Sequence, residues 1–235
     1  GGSNVAIGQA ALHSNTTASS NTAVGYQAGY DNTTGTANVG VGTNAFYYNT
    51  TGSRNTALGM SALEKNTTAS DNTAVGYQAS YKNTTGTSNV SVGEYALFDN
   101  TTGNYNVAIG RSALENNTTA SNNTAVGYQA GLSVTSGVNN TLIGSLAGDA
   151  LTDTDRNIAI GWSTLSTDTT GSRSIAIGAG ALFTQNFATA TDSYNVAIGD
   201  TAGGGVTTGT SNTLIGGLAG DAITTGVDNT LIGRS

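Results

Sequence analysis

The sequence has no cysteine, no proline, a single histidine and only 9% charged residues. Each shortage removes a class of function. Without thiols there is neither a disulfide framework nor a thiolate metal site. Seven basic residues against fourteen acidic ones leave a net charge of −7, so no basic patch is available for phosphates and no nucleic-acid partner is expected. No run approaches the roughly 18 apolar residues of a membrane helix, so no membrane insertion is expected in this segment. One histidine, His13, cannot complete a Ser–His–Asp arrangement. The acidic residues never form the dense GGxGxD array of calcium-binding rolls. Asp149, Asp153 and Asp155 are near enough in sequence to share an ion, but they read more simply as a solvated acidic corner. No enzyme activity, no metal and no cofactor is expected. Absence of cysteine suits an extracellular protein. The chain opens on "GGSNVAIG" and closes on "NTLIGRS", both inside a pattern, so it reads as one segment of a longer polypeptide.

What the sequence has is repetition. The eight residues "NTAVGYQA" begin at Asn21, Asn72 and Asn123. Aligned on an apolar–glycine core, "N-[VT]-x-[VIL]-G", units start at residues 4, 21, 38, 55, 72, 89, 106, 123, 140, 157, 174, 195, 212 and 229. Every interval is 17 residues except the one from Ser174 to Asn195, which is 21. Residues 1–235 therefore form a single repeat domain with a four-residue insertion in the turn 174–194. Position 5 is glycine in all fourteen copies, and position 4 is always Val, Ile or Leu. Such a period is the mark of a stacked architecture, and it is the first thing a sequence should be searched for.

The turn has a mechanical reading. Positions 1 to 4 alternate with period 2 and carry β-branched residues at 2 and 4, as in a short strand. Glycine at position 5 suits a corner that needs positive φ or close backbone approach. A second extended segment is expected around positions 11 to 14. Stacked copies pair each strand with its counterpart above and below, giving an all-β parallel β-solenoid of about fourteen turns. Charges are absent from positions 1 to 5 and 7 to 9 of the 17-residue turns, which marks that portion as core. On this reading positions 2 and 4 fill the interior. Position 3, with Ala6, Ala23, Ala57, Ala74, Ala108 and Ala125, then faces outward as an uncharged stripe that an oligomer interface would cover.

The units "NVAIGxxA" at Asn4 and Asn195, "NVAIGRSA" at Asn106 and "SIAIGAGA" at Ser174 resemble the head repeats of trimeric autotransporter adhesins of the YadA type. The longer form "NTAVGYQAGYDNTTGTA" is similar to repeats of bacterial and phage tail-fibre proteins. The resemblance covers essentially the whole chain. It implies a left-handed β-roll, assembly as a homotrimeric fibre, and a structural or adhesive role at a cell surface or on a virion, with a host-surface glycan or protein as partner. The turn is longer than the adhesin heads commonly use. No catalytic residue is implied.

Three columns carry the functional alternatives. Position 6 holds Tyr26, Tyr77, Tyr128 and Trp162, with Gln27, Gln78 and Gln129 following the tyrosines, while positions 10 and 11 add Tyr30, Tyr47, Tyr48, Tyr81 and Phe98. Rings beside amides suit stacking on sugars or packing on protein, which makes a carbohydrate-binding rod the alternative reading. "NTT" recurs at position 12, from Asn15 to Asn117, formally as glycosylation sequons. The same column becomes Val134, Leu151, Val206 and Ile223 in later turns, so it reads as inward-facing and built for amide ladders, although Asp168 sits there too. Paired threonines raise the further alternative of an ice-binding solenoid, but adjacent T-T places one hydroxyl on each side of the chain.

Overall fold

The computed structural model describes residues 1–234, among which there is no helix. The chain is a parallel β-solenoid of about thirteen turns: fourteen three-residue strands delimit thirteen complete circuits, one fewer than the number of repeat starts. It forms two compact units, Gly1–Ala120 and Ser121–Ser235. In the first, strands Val5–Ile7, Thr22–Val24, Val39–Val41, Thr56–Leu58, Thr73–Val75, Val90–Val92 and Val107–Ile109 pair in parallel, each residue opposite the one 17 later. The second repeats this with Thr124–Val126, Thr141–Ile143, Ile158–Ile160, Ile175–Ile177, Val196–Ile198, Thr213–Ile215 and Thr230–Ile232. There Ile175 lies opposite Val196, so the 21-residue turn leaves the sheet register intact.

Both reasons given for glycine at position 5 hold. Gly25, Gly42 and Gly59 have φ of 140°, 138° and 137°, outside the range of ordinary side chains, and a Cβ on any of them would strike the glycine carbonyl of the next turn. Positions 6 to 11 then run through linked tight turns. Residues at positions 7 and 9 are left-handed whatever their type, as in Gln27 (φ 53°) and Leu63 (φ 50°). Each such segment closes on itself, with the Ala28 N–H donating to Gly25 O and the Asn32 N–H to Gly29 O. It also stacks on the next, the Leu63 N–H donating to Ala79 O at 3.0 Å and the Lys65 N–H to Tyr81 O at 3.0 Å. The second extended segment expected around positions 11 to 14 is a bend in regular turns. Among the described residues a second pair of strands forms only between Gly171–Ser172 and Thr191–Asp192, beside the insertion. Elsewhere the column is tied by threonine: both the N–H and the hydroxyl of Thr50 donate to Thr67 O, at 2.8 and 3.0 Å.

The assignment of inside and outside is the reverse of the one expected. Ala23, Ala57, Ala74, Ala108 and Ala125 are all 0% exposed, and the residues at positions 2 and 4 look outward. Ala6 is exposed only because the first turn has no neighbour on one side. The alanine column is therefore core within one chain and does not form an interface. Width is the physical reason. A 17-residue circuit encloses too little space for facing rows of branched side chains, so the strand turns Asn and Ala inward and leaves Val, Ile and Thr on the outer face. The apolar interior is alanine at positions 3 and 8 with one larger residue at position 9, such as Leu12, Leu63, Leu97 and Leu114.

Volumes at positions 3 and 9 compensate one another. Phe46 fills the space left by Gly40 in its own turn and by Gly29 in the preceding one, since a Cβ on either would collide with its ring. In the second unit Leu142 occupies the space over Gly148, and Leu214 that over Gly203 and Gly220. Where both positions are serine, the Ser80 hydroxyl donates to the Ser91 hydroxyl at 2.9 Å. Overfilling a close-packed core costs about 1–3 kcal/mol. Gly40→Ala should therefore lower the unfolding free energy obtained from urea curves by an amount in that range, and Gly40→Ala/Phe46→Leu, which copies the Ala57–Leu63 pairing, should recover most of the loss. An equally destabilised double variant would rule out volume compensation.

Candidate functional site

The conserved-looking asparagines of the turn pattern are structural, and they explain each other. At position 1 the Asn21 amide donates to Gly35 O at 2.9 Å while its Oδ1 accepts the Asn38 N–H at 2.8 Å. At position 12 the Asn32 amide donates to the same Gly35 O at 3.0 Å, and Asn49 donates to Asn32 Oδ1 at 2.8 Å. Two amide columns thus converge on one carbonyl per turn. Asn32, Asn49, Asn66, Asn83, Asn100 and Asn117 are all buried, which removes these sequons from reach of a glycan-transferring enzyme. The inward reading of position 12 and the ladder are both borne out. Leaving buried amide partners unpaired costs about 1–3 kcal/mol. Asn66→Val, which imitates Val134 and Val206, should destabilise the first unit by about that much, because Asn49 Oδ1 loses its donor and Asn83 Nδ2 keeps only Gly86 O of its two acceptors. Melting curves would measure it.

Asp168 stands in this ladder and is itself fully buried. Its carboxylate accepts the Gly171 N–H at 2.9 Å, the Thr170 N–H at 3.3 Å and Gln185 Nε2 at 2.6 Å. Gln185 also donates to Ser174 Oγ at 2.8 Å and accepts from Asn195 Nδ2 at 2.8 Å, while the Ser174 and Ser193 hydroxyls lie 2.6 Å apart. This network splices the long turn into the stack: Ser193 Oγ accepts the Asn195 N–H at 3.4 Å, a bond that an asparagine Oδ1 takes elsewhere. Burial raises the Asp168 pKa above the ordinary carboxylate value, against the lowering effect of its hydrogen bonds. A raised folded pKa means that the folded state holds the proton more tightly. The resulting stabilisation is complete below the unfolded pKa and is lost as pH rises through the folded one. Asp168→Asn removes this titration, so the variant should gain in melting temperature relative to the wild-type chain as pH rises through and above the carboxylate range. The gain should shrink on acidification; a constant gain from pH 3 to pH 7 would contradict the assignment.

The aromatic residues named from sequence lie on the outside. Tyr26, Tyr77, Tyr128 and Trp162 are 47, 37, 44 and 61% exposed. Gln27, Gln78 and Gln129, each with φ 53°, follow the three tyrosines at left-handed positions, so every Tyr–Gln pair caps a tight turn. Tyr26 and Tyr77 are separated on their column by Thr43 and Met60. Positions 10 and 11 are more organised. His13, an exposed residue, stacks on Tyr30 with centroids 4.6 Å apart, and Tyr30 stacks on Tyr47 at 5.0 Å. Tyr48 meets Tyr47 edge-on at 4.5 Å, and Lys65 Nζ lies 4.2 Å from the Tyr48 ring centroid. Tyr81 stacks on Phe98 at 5.2 Å.

One member of the group was absent from the sequence reading. Tyr95, at left-handed position 7 (φ 57°), joins the two columns, meeting Tyr77 at 5.4 Å and Phe98 at 5.6 Å, both edge-on. Its only sequence signal is that it follows Glu94, one place away from the expected aromatic position. Asp149, Asp153 and Asp155 are engaged separately, Asp149 accepting the Ser166 hydroxyl at 2.6 Å and Asp155 the Val138 N–H at 2.8 Å. Among the described residues no three His, Cys, Asp or Glu side chains gather as metal ligands would. Comparison with family models, with curated proteins and with solved structures finds no match for this chain.

Proposed function

We propose that this chain is a structural and adhesive segment of a homotrimeric extracellular fibre, on a cell surface or a virion, that attaches to host cells or surfaces. One observation carries the reading. In each unit the sheet turns outward an uncharged face of two columns, positions 2 and 4, made wholly of Val, Ile, Leu and Thr. In the second unit it is continuously aliphatic through Ile158, Ile160, Ile175, Ile177, Val196 and Ile198. A contiguous apolar face of this kind is an interaction surface by default. Its flat, repeating relief suits packing against identical copies about a closed symmetry axis. The resemblance of the repeats to trimeric adhesin heads supports three copies, a left-handed coil and a location outside the cell. The inward alanines take no part in assembly. The branched residues beside them do.

Attachment is assigned to the opposite part of the turn, where positions 6, 7, 10 and 11 carry rings and charges that the fold does not require. Repetition of such groups turn by turn suits many weak contacts that add by multivalency. Light scattering on the purified chain should give a mass of three protomers, and Ile160→Lys/Ile177→Lys should release folded monomers. A wild-type chain that is monomeric across the micromolar range would remove the fibre assembly.

A further inference from the structure

The first unit differs from the second in where it keeps its positive charge. Gly1–Ala120 has six acidic and four basic residues, whereas Ser121–Ser235 has eight and three. The two lysines of the chain, Lys65 and Lys82, occupy position 11 of consecutive turns. Both lie among rings: Lys65 over Tyr48 at 4.2 Å and near Tyr81 at 5.6 Å, Lys82 over Phe98 at 5.2 Å. Tyr77 and Tyr95 continue the same cluster. We propose that this patch binds a carboxylate-bearing sugar of an acidic polysaccharide, with tyrosine rings against the pyranose and Lys65 and Lys82 on the carboxylate. The proposal rests on the adhesive reading above and names its ligand class.

Three features favour this occupant. Three acidic groups of the patch already hold a cation, Glu64 with Lys65 at 3.4 Å, Asp99 with Lys82 at 2.7 Å and Glu94 with Arg111 at 3.3 Å, which leaves Glu115, on the Tyr95 side, as the one carboxylate an incoming anion has to avoid. Each ammonium has three donors and spends one on its carboxylate, which leaves donors for a ligand. Tyr48 and Tyr77 remain 40 and 37% exposed, and both are amphipathic rings of the kind that sugars stack upon. Tyr95 adds a fifth ring, carried on the left-handed backbone that every complete turn has at position 7. Consecutive turns lie about 4.8 Å apart, so Lys65 and Lys82 stand one turn apart along the stack, within reach of neighbouring sugars of one polymer.

Titration calorimetry of the intact chain with an octagalacturonate tests this, beside a neutral cello-oligosaccharide and an octaglutamate peptide. The uronate alone should bind, with affinity that falls as salt rises. Lys82→Gln and Tyr77→Ala should each weaken binding at least fivefold, with the melting temperature and the solution mass of the chain unchanged. Three results would overturn the proposal: no uronate binding, equal binding of the neutral sugar, or equal binding of the peptide, which would assign the patch to an acidic protein. The mass measurement stands apart, so a failed trimer and a failed glycan site are distinguishable.

Discussion

Everything in this molecule follows from how little space a 17-residue circuit encloses. Alanine, asparagine, glycine and one or two larger residues fill the inside of a turn, so the branched residues of positions 2 and 4 lie outside. Asparagine belongs within because its amide is both donor and acceptor and passes hydrogen bonds from turn to turn, as Asn21, Asn38 and Asn55 do along position 1. Little of the stability is local. About three non-glycine residues per turn sit at positive φ, at a cost of roughly 1–3 kcal/mol each, and the ladders between turns have to offset it. A single turn has no means of doing so; a stack does.

The repeat length, the parallel register and the strand at positions 2 to 4 were legible in the sequence because they depend on periodicity, which errors in any one turn do not erase. The glycine corner was legible too, since φ near 140° and contact with the next carbonyl both exclude every other residue. Facing was misjudged. β-Branched residues were given the interior by the habit of larger folds, although Asn21 and Ala23 share a parity and Thr22 and Val24 share the other. The burial expected of asparagine at position 12 has the same consequence at position 1, because both amides reach one carbonyl. Left-handed residues at positions 7 and 9 were not legible: Gly29, Gly131 and Gly148 hint at one of them, but Leu63, Leu97 and Tyr95 adopt the same backbone without any signal.

For the candidate surface, the exposure of Tyr26, Tyr77, Tyr128 and Trp162 agrees with a position where charges are also tolerated. What sequence columns could not supply is which rings meet. Tyr77 and Tyr95 belong to different columns of successive turns, and their rings meet edge-on at 5.4 Å. The lysines likewise gain their meaning from neighbours one turn above and below, Tyr48 and Phe98, which lie 17 and 16 residues away in sequence.

The two constraints divide the turn between them. Positions 1, 3, 5, 8, 9, 12 and 15 answer to the width of the interior, and their variation is compensated inside the same unit: Phe46 by Gly40, Leu142 by Gly148, Asp168 by Gln185. Positions 2 and 4 stay uncharged without being buried; strand geometry accounts for their β-branching, and the proposed packing against a second copy would account for the lack of charge. Positions 6, 7, 10 and 11 are bound by neither condition. They vary most, and the "YQ" of "NTAVGYQA" falls among them. A repeat that spends its asparagines and alanines on shape leaves these four places per turn free to vary, which is why rings and lysines can collect in some turns and be absent from others without disturbing the stack.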